Sequence, residues 1–109
     1  MRVLHVEDDE DIRAVTEIAL VQLSGFQVLS CESGQQALTQ AERFAPQLIL
    51  LDVMMPQMDG LQTLAALRQL PGLAGVPVIF MTARLQEAEQ QRYLSAGAIA
   101  VIKLVNSFD

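Results

Sequence analysis

The sequence predicts an α/β fold, a doubly wound parallel sheet of five strands, and three observations predict it. Short apolar runs of strand length alternate with stretches of helical spacing in the order βαβαβαβαβ. The central run, Leu48 to Leu51, shows no polar alternation and so reads as a strand covered on both faces, as parallel strands are. Finally, 109 residues suffice for one core but not two, and 51% hydrophobic against 18% charged residues is the balance of a compact globule.

The elements follow in order. Arg2 to Val6 is a short apolar strand that stops abruptly at Glu7, Asp8, Asp9, Glu10 and Asp11. Asp9 or Asp11 suits the cap of the next helix, and acids in a first turn favour the helix dipole, but five in a row exceed what capping requires. Asp11 to about Ser24 has helical spacing, with Ile12, Val15, Ala19 and Leu23 on one side and Ala14, Ile18 and Val21 on another. Gly25 ends it, and Gln27 to Cys31 is a second strand. Ser33 caps a helix running through Phe44, with Ala37, Leu38, Ala41 and Phe44 inward.

After Pro46 comes the central strand, ended by Asp52, whose carboxylate belongs at an exposed strand end because burial without a partner is costly. Pro56 and Asp59-Gly60 mark a loop and the cap of a helix from Gly60 to Leu70, closed by Pro71-Gly72. Pro77 opens a fourth strand, Val78 to Met81, which delivers Thr82 and Ala83 to its carboxyl end. Taken alone, Thr82 reads as the cap of a helix beginning near Leu85. Gln86 to Ala96 is a polar helix with few anchors, among them Ala88, Tyr93 and Leu94. Gly97 ends it, and Ala98 to Leu104 is a fifth strand.

Charge and composition narrow the function. A net charge of −6 argues against a nucleic-acid surface and favours a cation site or a basic partner. The single cysteine, Cys31, has no internal disulfide partner and is read as a packing residue. The opening MRVLHVEDD lacks a signal-peptide profile, and no apolar run approaches bilayer length, so the expectation is a cytoplasmic chain with no membrane contact.

In a parallel sheet all carboxyl ends lie on one edge, where ligands of open α/β sheets bind. That edge collects Glu7, Asp8, Asp52 and Thr82. Carboxylates about 4 Å apart repel by about 4 kcal/mol at an effective dielectric near 20. Three together call for a cation, and an oxygen-only, partly hydrated set suits Mg²⁺. An Asp oxygen beside such an ion is able to attack a phosphoryl group. No Ser/His/Asp set, Cys/His pair or glycine-rich phosphate cradle is present, and His5, inside the first strand, is read as a packed residue.

With HVEDDEDIR, LILLDVMMPQMDG, PVIFMTA and SAGA in this order, the chain resembles the receiver domain of bacterial two-component response regulators over nearly its whole length. The resemblance implies a flavodoxin-like sheet of order 2-1-3-4-5. It implies Asp52 as phosphoacceptor, Glu7 and Asp8 as the acidic pair, and Mg²⁺ held by Asp8, Asp52 and the main-chain carbonyl of Met54. It further implies that Thr82 hydrogen-bonds the phosphoryl group and that small Ala83 leaves room for it. Met54 and Arg84 stand where the family tunes hydrolysis of the phosphoryl group. The implied partner is a histidine kinase or a phosphotransfer protein, the chain catalysing only its own phosphorylation and dephosphorylation.

Two departures stand against that pattern. The family ends its fifth strand in Lys-Pro, and here Lys103 lies one residue closer to Gly97 than the family's lysine does. Without a gap, Leu104 falls on the lysine position, Val105 on the proline and Val101 on the usual aromatic position. A one-residue slip turns a strand side chain to the other face, so Lys103 reaches the site only through a bulge or shortened loop. Secondly, Val105 to Asp109 are too few for the helix that closes the family's fold, so the final helix is expected to be missing and the domain, spanning 1–109, truncated or atypical after the fifth strand. The outer stripe of the first helix, Ala14, Ile18 and Val21, would then lack cover, which invites a homodimer, exchange of elements or docking of another protein. A rival reading is therefore a degenerate receiver acting as a scaffold or dimerisation module without phosphorylation. An aspartate-nucleophile phosphatase of the haloacid dehalogenase kind wants a second Asp where Met54 stands, and a flavin binder wants a hydroxyl- and glycine-rich loop where this chain has acids.

Overall fold

The computed structural model describes residues 1–104. Five parallel strands, β1 (Arg2–Val6), β2 (Gln27–Cys31), β3 (Leu48–Asp52), β4 (Val78–Thr82) and β5 (Ala100–Lys103), form one sheet in the order β2-β1-β3-β4-β5. Four α-helices join them: α1 (Glu10–Ile18), α2 (Gly34–Phe44), α3 (Gly60–Leu67) and α4 (Glu87–Ser95). The expected α/β class and strand order are those observed. The expectations for Val105 and for a closing helix lie outside the described residues.

Strand alternation divides the core in two. Leu4, Val6, Ile49, Leu51, Val78 and Phe80 point to one face and pack with Ala37 and Ala41 of α2, Leu64 and Leu67 of α3, and Tyr93 of α4. The opposite face has a thinner buried set, Val3, Leu50 and Met81, flanked by half-buried Leu20, Phe26, Val28, Ile79 and Leu104. Three helices thus cover one side and α1 the other.

The first helix departs most from its reading. It begins at Glu10 with Asp9 as cap, the Asp9 carboxylate accepting from the amides of Asp11 (2.9 Å) and Ile12 (3.0 Å). After Ile18 it widens into a π-helical turn over Ala19–Leu23. The half-buried residues are Ile12, Arg13, Thr16, Ala19 and Leu20, whereas Val15 and Leu23, expected inward, are exposed by 67% and 83%. Polar Thr16 occupies the inward place at one helical repeat from Ile12, and the wider π turn breaks the 3.6-residue spacing that assigned Leu23 to the sheet. Ile18 and Val21 are exposed as expected.

Smaller corrections have local causes. The third helix stops at Leu67 rather than Leu70, because Gln69 and Leu70 bond three residues back and the Arg68 guanidinium donates to the carbonyls of Leu73 (3.0 Å) and Val76 (2.6 Å). In α4, Ala88 is exposed and Tyr93 is the buried anchor, its ring centroid 5.4 Å from that of Phe80. The fifth strand is shorter than Ala98 to Leu104, although Ile99 and Leu104 extend its ladder with bonds to Val78 (2.9 Å) and Thr82 (2.7 Å). Cys31 is fully buried, and burial pushes its thiol up to about 11.

His5 is fully buried between Ser30 of β2 and Leu50 of β3, and neither ring nitrogen has a hydrogen-bond partner. Burial, with the nearby Arg13 charge, lowers its pKa to about 4. A lowered folded-state pKa means that the stability tied to neutral His5 is present above the ordinary value near 6.5 and is lost as pH falls toward about 4. His5→Leu should raise stability by about 1–3 kcal/mol, because it removes a buried unpaired polar group without opening a cavity. Urea unfolding at pH 7 and pH 5 checks this: the gain should grow at pH 5, and a less stable variant would refute it.

Candidate functional site

Parallel pairing brings the carboxyl ends of β1, β3, β4 and β5 to one edge. Val6 stands beside Leu51, so the next residues, Glu7 and Asp52, meet across the strand tips. Glu7, Asp8 and Asp52 each present a carboxylate oxygen, and these atoms lie within 4.8 Å of one another. Glu7 is 2% exposed and Asp52 9%, whereas Asp8 opens to solvent.

Each acid is fixed from its own backbone. Glu7 continues the β1 ladder through its amide to the Cys31 carbonyl (2.9 Å), and its carboxylate accepts from the Asp9 amide (3.2 Å). The Asp52 carboxylate accepts from the Met54 amide at 3.3 Å. Beyond it the chain bends through Pro56 and Gln57, the latter at φ 69°, and returns to α3, where the Gly60 amide donates to the Val53 carbonyl (2.8 Å). Asp59 and Gln62 close that turn with a reciprocal capping box, at 2.8 and 3.0 Å. Met54, whose carbonyl the resemblance makes a ligand, sits in this loop with its side chain 70% exposed.

Burial, then the Glu7 carboxyl and charge beside it, pushes the Asp52 carboxyl up to about 8. Glu7 is raised too, chiefly by burial. Crowded, desolvated carboxylates of this kind hold protons unless a cation replaces them. The Arg13 guanidinium reaches the loop but donates to the Glu7 main-chain oxygen (2.8 Å). An all-oxygen, negatively charged, half-open cluster fits Mg²⁺ by donor chemistry.

Thr82 is 2% exposed at the end of β4. Its hydroxyl donates to the Arg84 carbonyl (2.7 Å) and accepts from the Arg84 amide (3.2 Å). It therefore closes its own loop and does not cap α4, whose N-cap is Gln86 without a side-chain bond. Ala83 is exposed beside it.

Lys103 lies opposite Thr82 in the β4–β5 register. Unbroken register runs from Ile79 and Ala100 to Thr82 and Lys103, without a bulge. Val101 packs with Phe80 in the larger core and Leu104 with Met81 in the smaller, so alternation puts Lys103 on the Val101 side and Leu104 on the face shared by Met81 and its neighbour Asp52. Leu104 holds the strand place from which a lysine would reach the rim.

Sequence reasoning missed Arg13. Its signal was a basic residue one turn into a helix that follows five acids, a spacing that lets the side chain fold back over the loop.

The chain matches the family model described as the response regulator receiver domain over residues 3–104. It belongs to that family. It is 36% identical over 102 residues to the gliding motility regulatory protein of Myxococcus xanthus, covering 94% of this chain and 13% of that protein. It is 40% identical over 97 residues to the transcriptional regulatory protein PrrA of Mycobacterium tuberculosis, covering 89% of this chain and 40% of the other. The chain thus spans less than half the length of these relatives. Its fold matches the chemotaxis protein CheY4 of Vibrio cholerae with a TM-score of 0.86 at 27% identity, over 96% of this chain and 88% of that one. Response regulators of this family are signalling proteins of two-component systems. Among the described residues no helix is long and apolar enough to cross a membrane.

The raised pKa of Asp52 sets a pH dependence for the metal-free chain. Its folded-state value lies above the ordinary carboxylate value, so its contribution to stability is fully present below about 3.8 and is lost as pH rises through about 8. Asp52→Asn should therefore raise the melting temperature at pH 8.5 by on the order of 5 °C and at pH 5 by less. Mg²⁺ should stabilise the wild-type chain most at the higher pH. Equal effects at both pH values would refute the assignment.

Proposed function

We propose that the chain is a phosphorylation-regulated receiver of the cytoplasm, accepting a phosphoryl group on Asp52 from the phosphohistidine of a histidine kinase or phosphotransfer protein. The observation that carries this reading is the meeting of Glu7, Asp8 and Asp52 at one rim, with Asp52 nearly buried and held by the Met54 amide.

Asp8, Asp52 and the Met54 carbonyl would hold Mg²⁺, with Glu7 beside them. Bound there, the ion supplies the positive charge that keeps Asp52 ionised and offsets charge on the transferred oxygens. The chain's own residues do the rest. An Asp52 oxygen bonds to phosphorus as the donor's P–N bond breaks and its imidazole leaves. The Met54 amide holds the other Asp52 oxygen and so orients the nucleophile. Thr82, by exchanging its Arg84 bonds for a phosphoryl oxygen, reports the new charge to the loop before α4, while exposed Ala83 leaves the approach open. On this reading the step runs without Lys103, and Met54 and Arg84 stand where access of hydrolytic water is tuned.

A small phosphodonor with Mg²⁺, followed by intact mass, tests the reading. Wild type should gain one phosphoryl group, Asp52→Asn none, and Lys103→Ala as much as wild type within about twofold, less than RT in free energy. An unmodified wild-type mass, or a labelled Asp52→Asn chain, would refute it.

A second reading has its own observation. Val15, Ile18, Val21 and Leu23 expose apolar side chains along one helix and its π turn. Large exposed apolar patches mark interaction sites, and a symmetric homodimer through α1 would cover this one, whether or not the rim is phosphorylated. Sedimentation equilibrium should show self-association that Ile18→Glu weakens about tenfold or more. A monomer at all accessible concentrations would exclude it.

A further inference from the structure

We infer that Gly60 is a positioning residue for the stretch of backbone that carries the Asp52 carboxylate and the Met54 carbonyl, a role that rests on the phosphoacceptor reading above. Gly60 is the first residue of α3 and is buried. Its φ is not positive, so the position demands space and not a left-handed backbone. A Cβ added there would overlap the main-chain oxygen of Asp52 and lie 2.8 Å from the Cα of Val53. Both are backbone atoms, which cannot swing aside as a long side chain does.

The hydrogen bonds tie that contact to the site. The Gly60 amide donates to the Val53 carbonyl (2.8 Å), and the Val53 amide donates to Met81 of β4 (3.0 Å). Residues 53–60 are thereby a closed loop clamped between β4 and the start of α3, with the Met54 carbonyl inside it and Asp52 at its root. A β-carbon at position 60 forces a main-chain shift of about half an ångström or more to reach ordinary contact. Metal–ligand distances tolerate only about 0.2 Å, and Mg²⁺ demands near-octahedral order. The absence of one carbon at Gly60 is thus part of how the rim keeps its ligand geometry.

Gly34 supplies the matched control. A Cβ at Gly34 would overlap the Thr63 hydroxyl and lie 2.7 Å from the Met58 sulfur, so it presses on side chains of α3 and of the far part of the same loop, and on no backbone atom of Asp52 or Val53. Gly60→Ala and Gly34→Ala should both lose stability, and trimethylamine N-oxide keeps both folded for the assay. Mg²⁺ affinity by calorimetry should fall about tenfold or more in Gly60→Ala, the range seen when the support of a metal ligand is removed, and less than about twofold in Gly34→Ala. Labelling by the small phosphodonor at saturating Mg²⁺ should show the same split. Equal Mg²⁺ affinity and labelling in the two variants, or in Gly60→Ala and wild type, would overturn the role. Asp59→Ala, which weakens the α3 cap without adding an atom, should behave like Gly34→Ala; a tenfold loss of Mg²⁺ affinity there would assign the effect to helix fraying and likewise overturn it. Failure of the wild-type chain to label at all would strike the phosphoacceptor reading instead, and the calorimetric comparison would still decide the place of Gly60.

Discussion

Mutual repulsion among three carboxylates at the tips of β1 and β3 is the constraint on which the rest of the structure turns. Parallel pairing is what makes the repulsion unavoidable: with Val6 beside Leu51, the acids that follow each strand have nowhere to diverge. Desolvation sharpens it, since Glu7 and Asp52 are nearly out of water. The fold holds this unfavourable arrangement through backbone contacts, the Asp9 and Met54 amides and the Arg13 clasp on the Glu7 carbonyl, none of which neutralises the cluster. The charge deficit is left for an external ligand to satisfy.

The surrounding layers are built to keep that rim still where it matters and loose beside it. The tip of β3 is tied to β4 through Val53 and to α3 through Gly60, and the capping box of Asp59 and Gln62 secures the helix end behind it. Next to it, the segment after β4 is held by the Thr82 hydroxyl on Arg84 and by half-buried Leu85 against the core, and α4 starts without a side-chain cap. The rim is thus fixed from several sides, while the loop beside it is fixed from fewer.

Much of this was legible in the residues. Continuous apolar runs ending in acids locate the strands and the rim, because a strand buried on both faces has no other sequence signature and an acid has no other place in it. Ser33 and Asp59 act as the caps their chemistry predicts. The outer helix was less legible. Hydrophobicity assigned Val15 and Leu23 to the sheet, whereas Thr16 lies inward and a π turn shifts the spacing. Thr82 was ambiguous for another reason: a hydroxyl at a strand end caps a helix and closes a turn with the same atoms, and only the start of α4 at Glu87 separates the two. The direction of Lys103 depended on a bulge or a shortened loop, neither of which leaves a mark on composition; the register with β4 runs without a bulge.

The uneven layering has a consequence for how the molecule opens. Backbone amides of β3 and β4 lie under three helices on one side, so their exchange with solvent deuterium requires most of the molecule to come apart. The π turn lies against the thinner layer, and β2 and β5 are the two edges of the sheet, so smaller and more frequent openings suffice there. The interior therefore has a slow half and a fast half, and the acidic rim belongs to both: its Asp52 side is anchored in the slow half, and its Glu7 and Asp8 side is coupled through Arg13 to the helix of the fast one.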